Sequence, residues 1–246
     1  MRSIHEATRR PAACPLQTPA EIPFRFDSIG FREALLGWWA QNAREYPWRQ
    51  TRDPYAVFVA EVLLHRTRAS QVRPVYERIM ECYPHIDDLA DAPLEELHRS
   101  LNSLGLAWRV DLLLAAARTI VERHGGYIPR EIPALLRLPG VGPYIAAAVR
   151  CFAYGEPDAI LDTNTVRICG RVFDLPVNDL SRRSPRFRAV LQYLLDSSRP
   201  REFNFALLDH AALVCTSRLP RCAECVVLKH CSYGSRRSAG VPPTTE

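Results

Sequence analysis

The chain has 246 residues, 47% of them hydrophobic, and a formal net charge of +5. That length allows one large or two modest domains with a real core, and the small positive excess, carried mostly by arginine, leans toward a polyanionic partner. No apolar run reaches the length of a membrane-spanning helix, and the first residues lack the charged-then-apolar order of a secretory signal, so the chain reads as cytoplasmic.

In chain order, residues 1–25 mix Pro, Ala and charge without a period and read as a disordered leader, with Cys14 an incidental thiol. A helix is expected from Phe31 to Ala43, with Phe31, Leu35 and Trp38 on one face, broken by Tyr46-Pro47-Trp48-Arg49. Asp53-Pro54 opens another helix, the aspartate as its cap and the proline in its first turn. Its body, Tyr55 to Leu64, is apolar all round except for Glu61, which marks a buried helix. A lone carboxylate there must be paired, neutral or used for chemistry. The polar turn His65-Arg66-Thr67-Arg68 follows. Ser70 to Cys82 reads as a helix on Val72, Val75, Tyr76 and Ile79, Leu89 to Leu104 as one or two short helices stopped by Gly105, and Trp108 to His124 as a longer one. About six helices are therefore expected between Asp53 and Tyr154. No segment alternates as a strand, and the fold class is all-α.

Leu138-Pro139-Gly140-Val141-Gly142-Pro143-Tyr144 lies between two stretches of helical period: Ile132, Leu135 and Leu136 before it, and Ile145, Val149 and Phe152 after it. This predicts a helix, a tight glycine turn and a second helix whose amino end offers unpaired N–H groups to an anion, or else a plain αα-hairpin. Gly155-Glu156-Pro157 breaks the second helix. Asp162-Thr163-Asn164 then starts another helix, with Val166, Cys169 and Phe173 on one face. Asp162 is a natural N-cap, and a capping carboxylate is held rigidly enough to serve chemistry as well. Arg182-Arg183 to Arg188 reads as a solvated basic loop, and Phe187–Leu195 and Phe203–Val214 as helices. Cys215, Cys222, Cys225 and Cys231 follow in the spacing C-x6-C-x2-C-x5-C. Four thiolates in one short loop suit zinc or an iron–sulfur cluster, and the spacing alone does not choose the metal. Cys82, Cys151 and Cys169 are expected to be packed in the core.

Taken in order, LPGVGPY, LDTN and the four-cysteine loop closely resemble the helix-hairpin-helix DNA glycosylases of the endonuclease III type, over about residues 28–234. The resemblance implies an endonuclease III-like two-domain fold: a six-helix barrel with the hairpin at 53–154, and a cluster domain from 26–52 plus 155–234. Residues 235–246 would be a disordered tail. It further implies a [4Fe–4S] cluster on Cys215, Cys222, Cys225 and Cys231, and a DNA cleft between the domains with Asp162 at its mouth. The partner would be double-stranded DNA holding a mismatched base, bound by a monomer at the nucleoid.

By that resemblance Asp162 would stabilise the developing sugar cation, Tyr144 would line the pocket, and Glu61 would bond the base or position water. Gly140, Val141 and Gly142 would hold a phosphate through main-chain amides, with a monovalent cation possible on the hairpin carbonyls. Arg66 would fill the gap left by the flipped base, and Asn164 would bond Asp162 or the DNA backbone. Bifunctional members carry a lysine where Tyr144 stands, and a phenol cannot form their Schiff base, so a monofunctional enzyme is expected. Glu61 to Ala69 and Arg201-Glu202-Phe203-Asn204 look more like the thymine (T·G, U·G) branch than the adenine branch. The adenine branch typically has Gln-Gln-Thr where this chain has His65-Arg66-Thr67, and usually a further domain after its cluster. Adenine removal and a non-catalytic DNA-binding module remain the alternatives.

Overall fold

The computed structural model describes residues 19–20, 22–23, 26–65, 67–101 and 107–238, and among these every regular element is helical. The helices are α1 (Ser28–Asn42), α2 (Pro47–Gln50), α3 (Pro54–Leu64), α4 (Ala69–Cys82), α5 (Ile86–Ala90), α6 (Leu94–Leu101) and α7 (Ala107–His124). They continue with α8 (Ile132–Leu135), α9 (Pro143–Tyr154), α10 (Thr163–Phe173), α11 (Pro185–Leu194), α12 (Pro200–Leu213) and α13 (Ser232–Ser238). No helix among the described residues is long and apolar enough to cross a membrane.

Local chemistry sets the element ends. Asp53 accepts hydrogen bonds from the Tyr55 and Ala56 amides (3.1 and 3.2 Å), capping α3 with Pro54 in its first turn. Gly155, at φ +72°, ends α9 and donates its amide to the Cys151 carbonyl, while Glu156 donates to that of Arg150.

The buried apolar side chains fall into two clusters. One is built by α3 to α9 and centres on Phe58, Val59, Ala60, Leu97, Ile120 and Phe152. The other combines Phe31 and Leu35 of α1 with α10, α11 and most of α12. Helix α12 joins them. Its Phe205 belongs to the first cluster, stacked on Phe152 with ring centroids 4.1 Å apart, while Phe203, Ala206 and Leu207 belong to the second. Arg201, also on α12 and buried, donates to the carbonyls of Phe152, Arg49 and Thr51 (2.8, 2.8 and 2.7 Å). Those bonds satisfy both a buried cation and backbone oxygens that would otherwise be unpaired.

Several expectations are corrected. The first helix of the hairpin is the single turn α8, and Ile132 and Leu136 are each 43% exposed, so their apolar spacing does not mark a buried face. Tyr46-Pro47-Trp48-Arg49 does not merely break a helix, because α2 forms within it. Seven helices, not about six, lie between Asp53 and Tyr154 among the described residues, since α8 counts as one. The stretch Arg182–Arg188 is not a loop: Ser181–Arg183 is a 3-10 turn and Arg188 lies on α11. Cys82 is exposed at the last residue of α4, whereas Cys151 and Cys169 are in the core. Ile22, within the stretch read as a leader, is buried in the second cluster, and α13 continues to Ser238, past the expected start of the tail. Cys14, Arg66, Gly105 and residues 239–246 lie outside the described residues.

Candidate active site

The hairpin turn depends on Gly140. Its φ is +74°, and a Cβ there would stand 3.0 Å from Cβ of Leu112 on α7, so both conformation and space exclude a side chain. Gly142 is different. Its backbone is extended, it caps α9, and a Cβ there would meet open space. Val141, expected to contact phosphate, faces the other way. Its side chain is 7% exposed within the first cluster, and its amide already donates to the Leu138 carbonyl (3.1 Å), so it cannot offer that N–H to a ligand.

Tyr144 sits in the first turn of α9, and α9 packs along α3, which brings the tyrosine to Glu61. The two side chains share a hydrogen bond. Glu61 is 3% exposed, and its Oε2 has no hydrogen-bond partner among the described residues. Burial pushes the Glu61 carboxyl up to about 7, against the Tyr144 bond and the charge of Arg49, with Asp162 adding a smaller push upward. Burial, then the charge of Glu61, drives the Tyr144 phenol well above its usual value, so it is a neutral donor.

Asp162 caps α10. Its Oδ1 accepts from the Asn164 and Thr165 amides (both 2.8 Å), and Oδ2 accepts from Asn164 Nδ2 (2.7 Å). Thr165 Oγ1 in turn accepts from the Asp162 amide (2.9 Å) and donates to the Ile160 carbonyl (2.8 Å). The carboxylate is therefore fixed from three sides. Asn164 is itself held: its Oδ1 accepts from Arg167 Nη2 (3.2 Å), and Arg167 also donates to the carbonyls of Ala211 (2.9 Å) and Cys215 (3.0 Å).

These groups meet at a cleft of about 1020 Å³. Tyr144, Asp162, Asn164, Gly140 and Gly142 line it, while Glu61 stands behind Tyr144 rather than in the wall. Arg44 and Arg49 line it too, but both are paired to Asp209, which is fully buried and accepts from Arg44 Nε (2.6 Å), Arg49 Nη1 (2.7 Å) and Trp39 Nε1 (3.0 Å). Sequence reading passed over Asp209, although it presents the same signal as Glu61: a lone acid in an otherwise apolar stretch. Arg109, also missed, is buried and donates to the Leu63 carbonyl and Thr67 Oγ1 (3.0 and 2.9 Å), fixing the end of α3 beside the cleft.

The four late cysteines are free and half-buried. Burial first raises the Cys225 thiol to about 11, with the charges of Cys231, Cys215 and Cys222 adding to it. Arg171 Nη1 donates to Cys215 Sγ (3.2 Å) and the Gly234 amide to Cys231 Sγ (3.3 Å), contacts suited to thiolates. Among the described residues no three His, Cys, Asp or Glu side chains are gathered as one metal ion would need. Four thiols in one short segment are a donor set that suits an iron–sulfur cluster or a tetrahedral zinc ion.

Residues 59–186 match the family described as HhH-GPD superfamily base excision DNA repair protein. The chain is 35% identical over 204 residues to the thymine/uracil-DNA glycosylase of Methanothermobacter thermautotrophicus, covering 82% of this chain and 92% of that one. It is 35% identical over 239 residues to the adenine DNA glycosylase of Rattus norvegicus, covering 92% of this chain but 46% of that longer protein. The solved structure of a thermostable thymine-DNA glycosylase superimposes with a TM-score of 0.79 at 33% identity, over 85% of this chain and 97% of that one. The all-helical, endonuclease III-like fold expected from the sequence is thus the one found.

Proposed function

Because the chain belongs to the HhH-GPD superfamily of base excision DNA glycosylases, we propose that it is a monofunctional mismatch glycosylase. It would hydrolyse the N-glycosidic bond of thymine or uracil opposite guanine and leave an abasic site. The observation that carries this is the pairing of Asp162 and Tyr144 in one cleft, with Glu61 behind Tyr144 and a phenol where an amine would give strand cleavage. The composition adds support. The chain's single lysine, Lys229, lies in the cysteine loop and is not among the residues lining the cleft. Schiff-base chemistry would need a lysine amine at the sugar. The choice of base rests on the relatives named as thymine or thymine/uracil glycosylases, whose lengths this chain nearly spans.

The geometry supports the following steps. The target nucleotide leaves the stack, at lower cost when it is mispaired. The Gly140 and Gly142 amides and the amino end of α9 take a backbone phosphate. The Asp162 carboxylate stands at C1′ and stabilises the positive charge that develops as the base departs, and it also orients the attacking water. Tyr144 fills the pocket beside the sugar. Asn164 holds Asp162 in place, and Arg167 holds Asn164. Cys215, Cys222, Cys225 and Cys231 would bind a [4Fe–4S] cluster, which supplies a cross-link for a segment with little core of its own.

A second reading, adenine removal, is favoured by one specific feature. With its carboxyl near 7, Glu61 retains a proton at neutral pH that a departing purine could accept. Both readings are tested by base release from end-labelled duplexes holding T·G, U·G, A·G or A·8-oxoguanine, read with and without alkali. Alkali-dependent cutting at T or U, lost in Asp162→Asn, is the expected result. Cutting at A moves the protein to the adenine branch, and cutting without alkali refutes the monofunctional assignment. No cutting on any duplex, with binding kept, makes it a binding module.

A further inference from the structure

The cleft has a second basic element that the mechanism above does not use. Between α10 and α11 the chain turns at Asn178–Ser184, and Asp179, Leu180, Arg182, Arg183 and Arg188 all line the same cleft as Asp162 and the glycine hairpin. This turn is shaped before any ligand arrives. Asn178 Oδ1 accepts from the Leu180 amide (2.9 Å), Ser181 Oγ accepts from the Asn178 amide (3.0 Å), and the Arg183 amide donates to the Leu180 carbonyl (2.9 Å). Its root is fixed at Gly170, where a Cβ would come within 2.4 Å of Val177 and 3.1 Å of the Leu175 carbonyl.

Elsewhere in the cleft, Arg68 is exposed and makes no side-chain bond among the described residues, while Arg44 and Arg49 share the one buried charge of Asp209. The side chains of Arg182, Arg183 and Arg188 make no ion pair or hydrogen bond among the described residues, and Arg183 and Arg188 are exposed. Asp179 opposes an anion at this wall, but three guanidiniums face it. Leu180, 71% exposed, is held outward by the polar bonds of the turn rather than packed. The hairpin grows from the first apolar cluster, while this turn leads into α11 of the second through buried Phe187. A duplex seated at Asp162 would therefore meet backbone amides and Arg68 on the side of the first cluster and three unpaired guanidiniums on the side of the second.

We propose that Arg182, Arg183 and Arg188 form a second phosphate clamp, gripping the duplex backbone on the α11 side of the cleft. The proposal rests on the glycosylase reading and adds the residues that hold the substrate's second contact. Phosphate contacts position a duplex without reading its sequence, so the clamp would serve matched and mismatched DNA alike.

The test measures affinity for two duplexes, one matched and one holding a tetrahydrofuran abasic analogue opposite guanine, from about 50 to 200 mM salt. The wild type is compared with Arg182→Ala/Arg183→Ala/Arg188→Ala and with a charge-matched control, Arg73→Ala/Arg99→Ala/Arg123→Ala, three exposed arginines outside the cleft. The clamp predicts that its variant binds both duplexes about tenfold or more weakly, with a salt slope shallower by about one for each phosphate no longer neutralised. The control should keep the wild-type slope. Equal slopes in the two triple variants would overturn the clamp. Thermal unfolding of each variant identifies any that fails to fold, and Arg183→Glu, a single exposed change, then repeats the comparison against Arg99→Glu. Neither duplex is a base-release substrate, so the slopes decide the clamp whether or not the wild type excises a base. Excision itself is followed separately on T·G.

Discussion

Replacing Glu61 with glutamine should remove a pH dependence from the stability of the fold. Burial raises the Glu61 carboxyl from 4.5 to about 7. The folded state therefore holds this proton more tightly than the unfolded chain does. Between those two values the folded protein binds more protons, and stability falls as pH rises. The fall begins near the unfolded value, is complete above the folded one, and amounts to roughly 3 kcal/mol at about 1.4 kcal/mol per pH unit. Glutamine has the same shape and no charge, so the Tyr144 bond can persist while the titration disappears. Urea unfolding of both proteins at pH 4.5, 6 and 8 isolates the effect, because the other titrating groups cancel in the difference. The difference should grow in favour of Glu61→Gln across that window and be flat above it. A difference that stays constant with pH would refute the reasoning, because Glu61 would then not be a carboxyl held in a dry site. In single-turnover base release, a group that acts as an acid should give rates that fall above about pH 7 in the wild type and lie uniformly low in the variant.

The Asp162→Asn variant should keep duplex binding and lose base release by about 10²–10³-fold or more, since it removes the charge at the sugar. Asp162→Ala should in addition cost about 1 kcal/mol by stripping the cap of α10, read as a lower urea midpoint. Gly140→Ala should destabilise the fold by roughly 1–3 kcal/mol, because of its φ of +74° and the contact with Leu112. Gly142→Ala, at open space, should fold normally and instead weaken duplex binding. Asp209→Asn leaves two arginines without their buried counter-charge and should cost about 3–5 kcal/mol in denaturant unfolding. Cys225→Ala should cost the purified protein its brown colour and its absorbance near about 400 nm, the signature of an iron–sulfur centre.

The parts of this molecule legible in sequence were those with a local cause. Asp53-Pro54 opens α3 and Asp162 caps α10 through contacts two or three residues away, and Gly140 takes the one backbone conformation its turn requires. Glu61 could be singled out because it interrupts an apolar helix. Its partner could not, since the bond to Tyr144 depends on α3 packing on α9. The same limit hid the pairing of Arg49 with Asp209, which are 160 residues apart in the chain and joined through space. Apolar spacing misled at Ile132 and Leu136, where four residues of helix cannot present a face long enough to bury. The basic stretch from Arg182 to Arg188 looked like solvated surface because nothing in its own sequence says that a cleft runs past it.

Under the proposed function, the tie made by α12 would bear on how a damaged duplex is chosen. Arg201, Phe205 and Asp209 fasten the two halves to one rod, through backbone carbonyls, a ring stack and a buried charge cluster. A cleft braced in this way has little freedom to close around its substrate. The duplex must then do the bending, and the work depends on how stiff that stretch of DNA is. A wobble pair already stacks poorly and kinks at lower cost than a Watson–Crick pair. Stiffness in the protein would then act as a gauge of softness in the duplex, felt before a base reached Asp162.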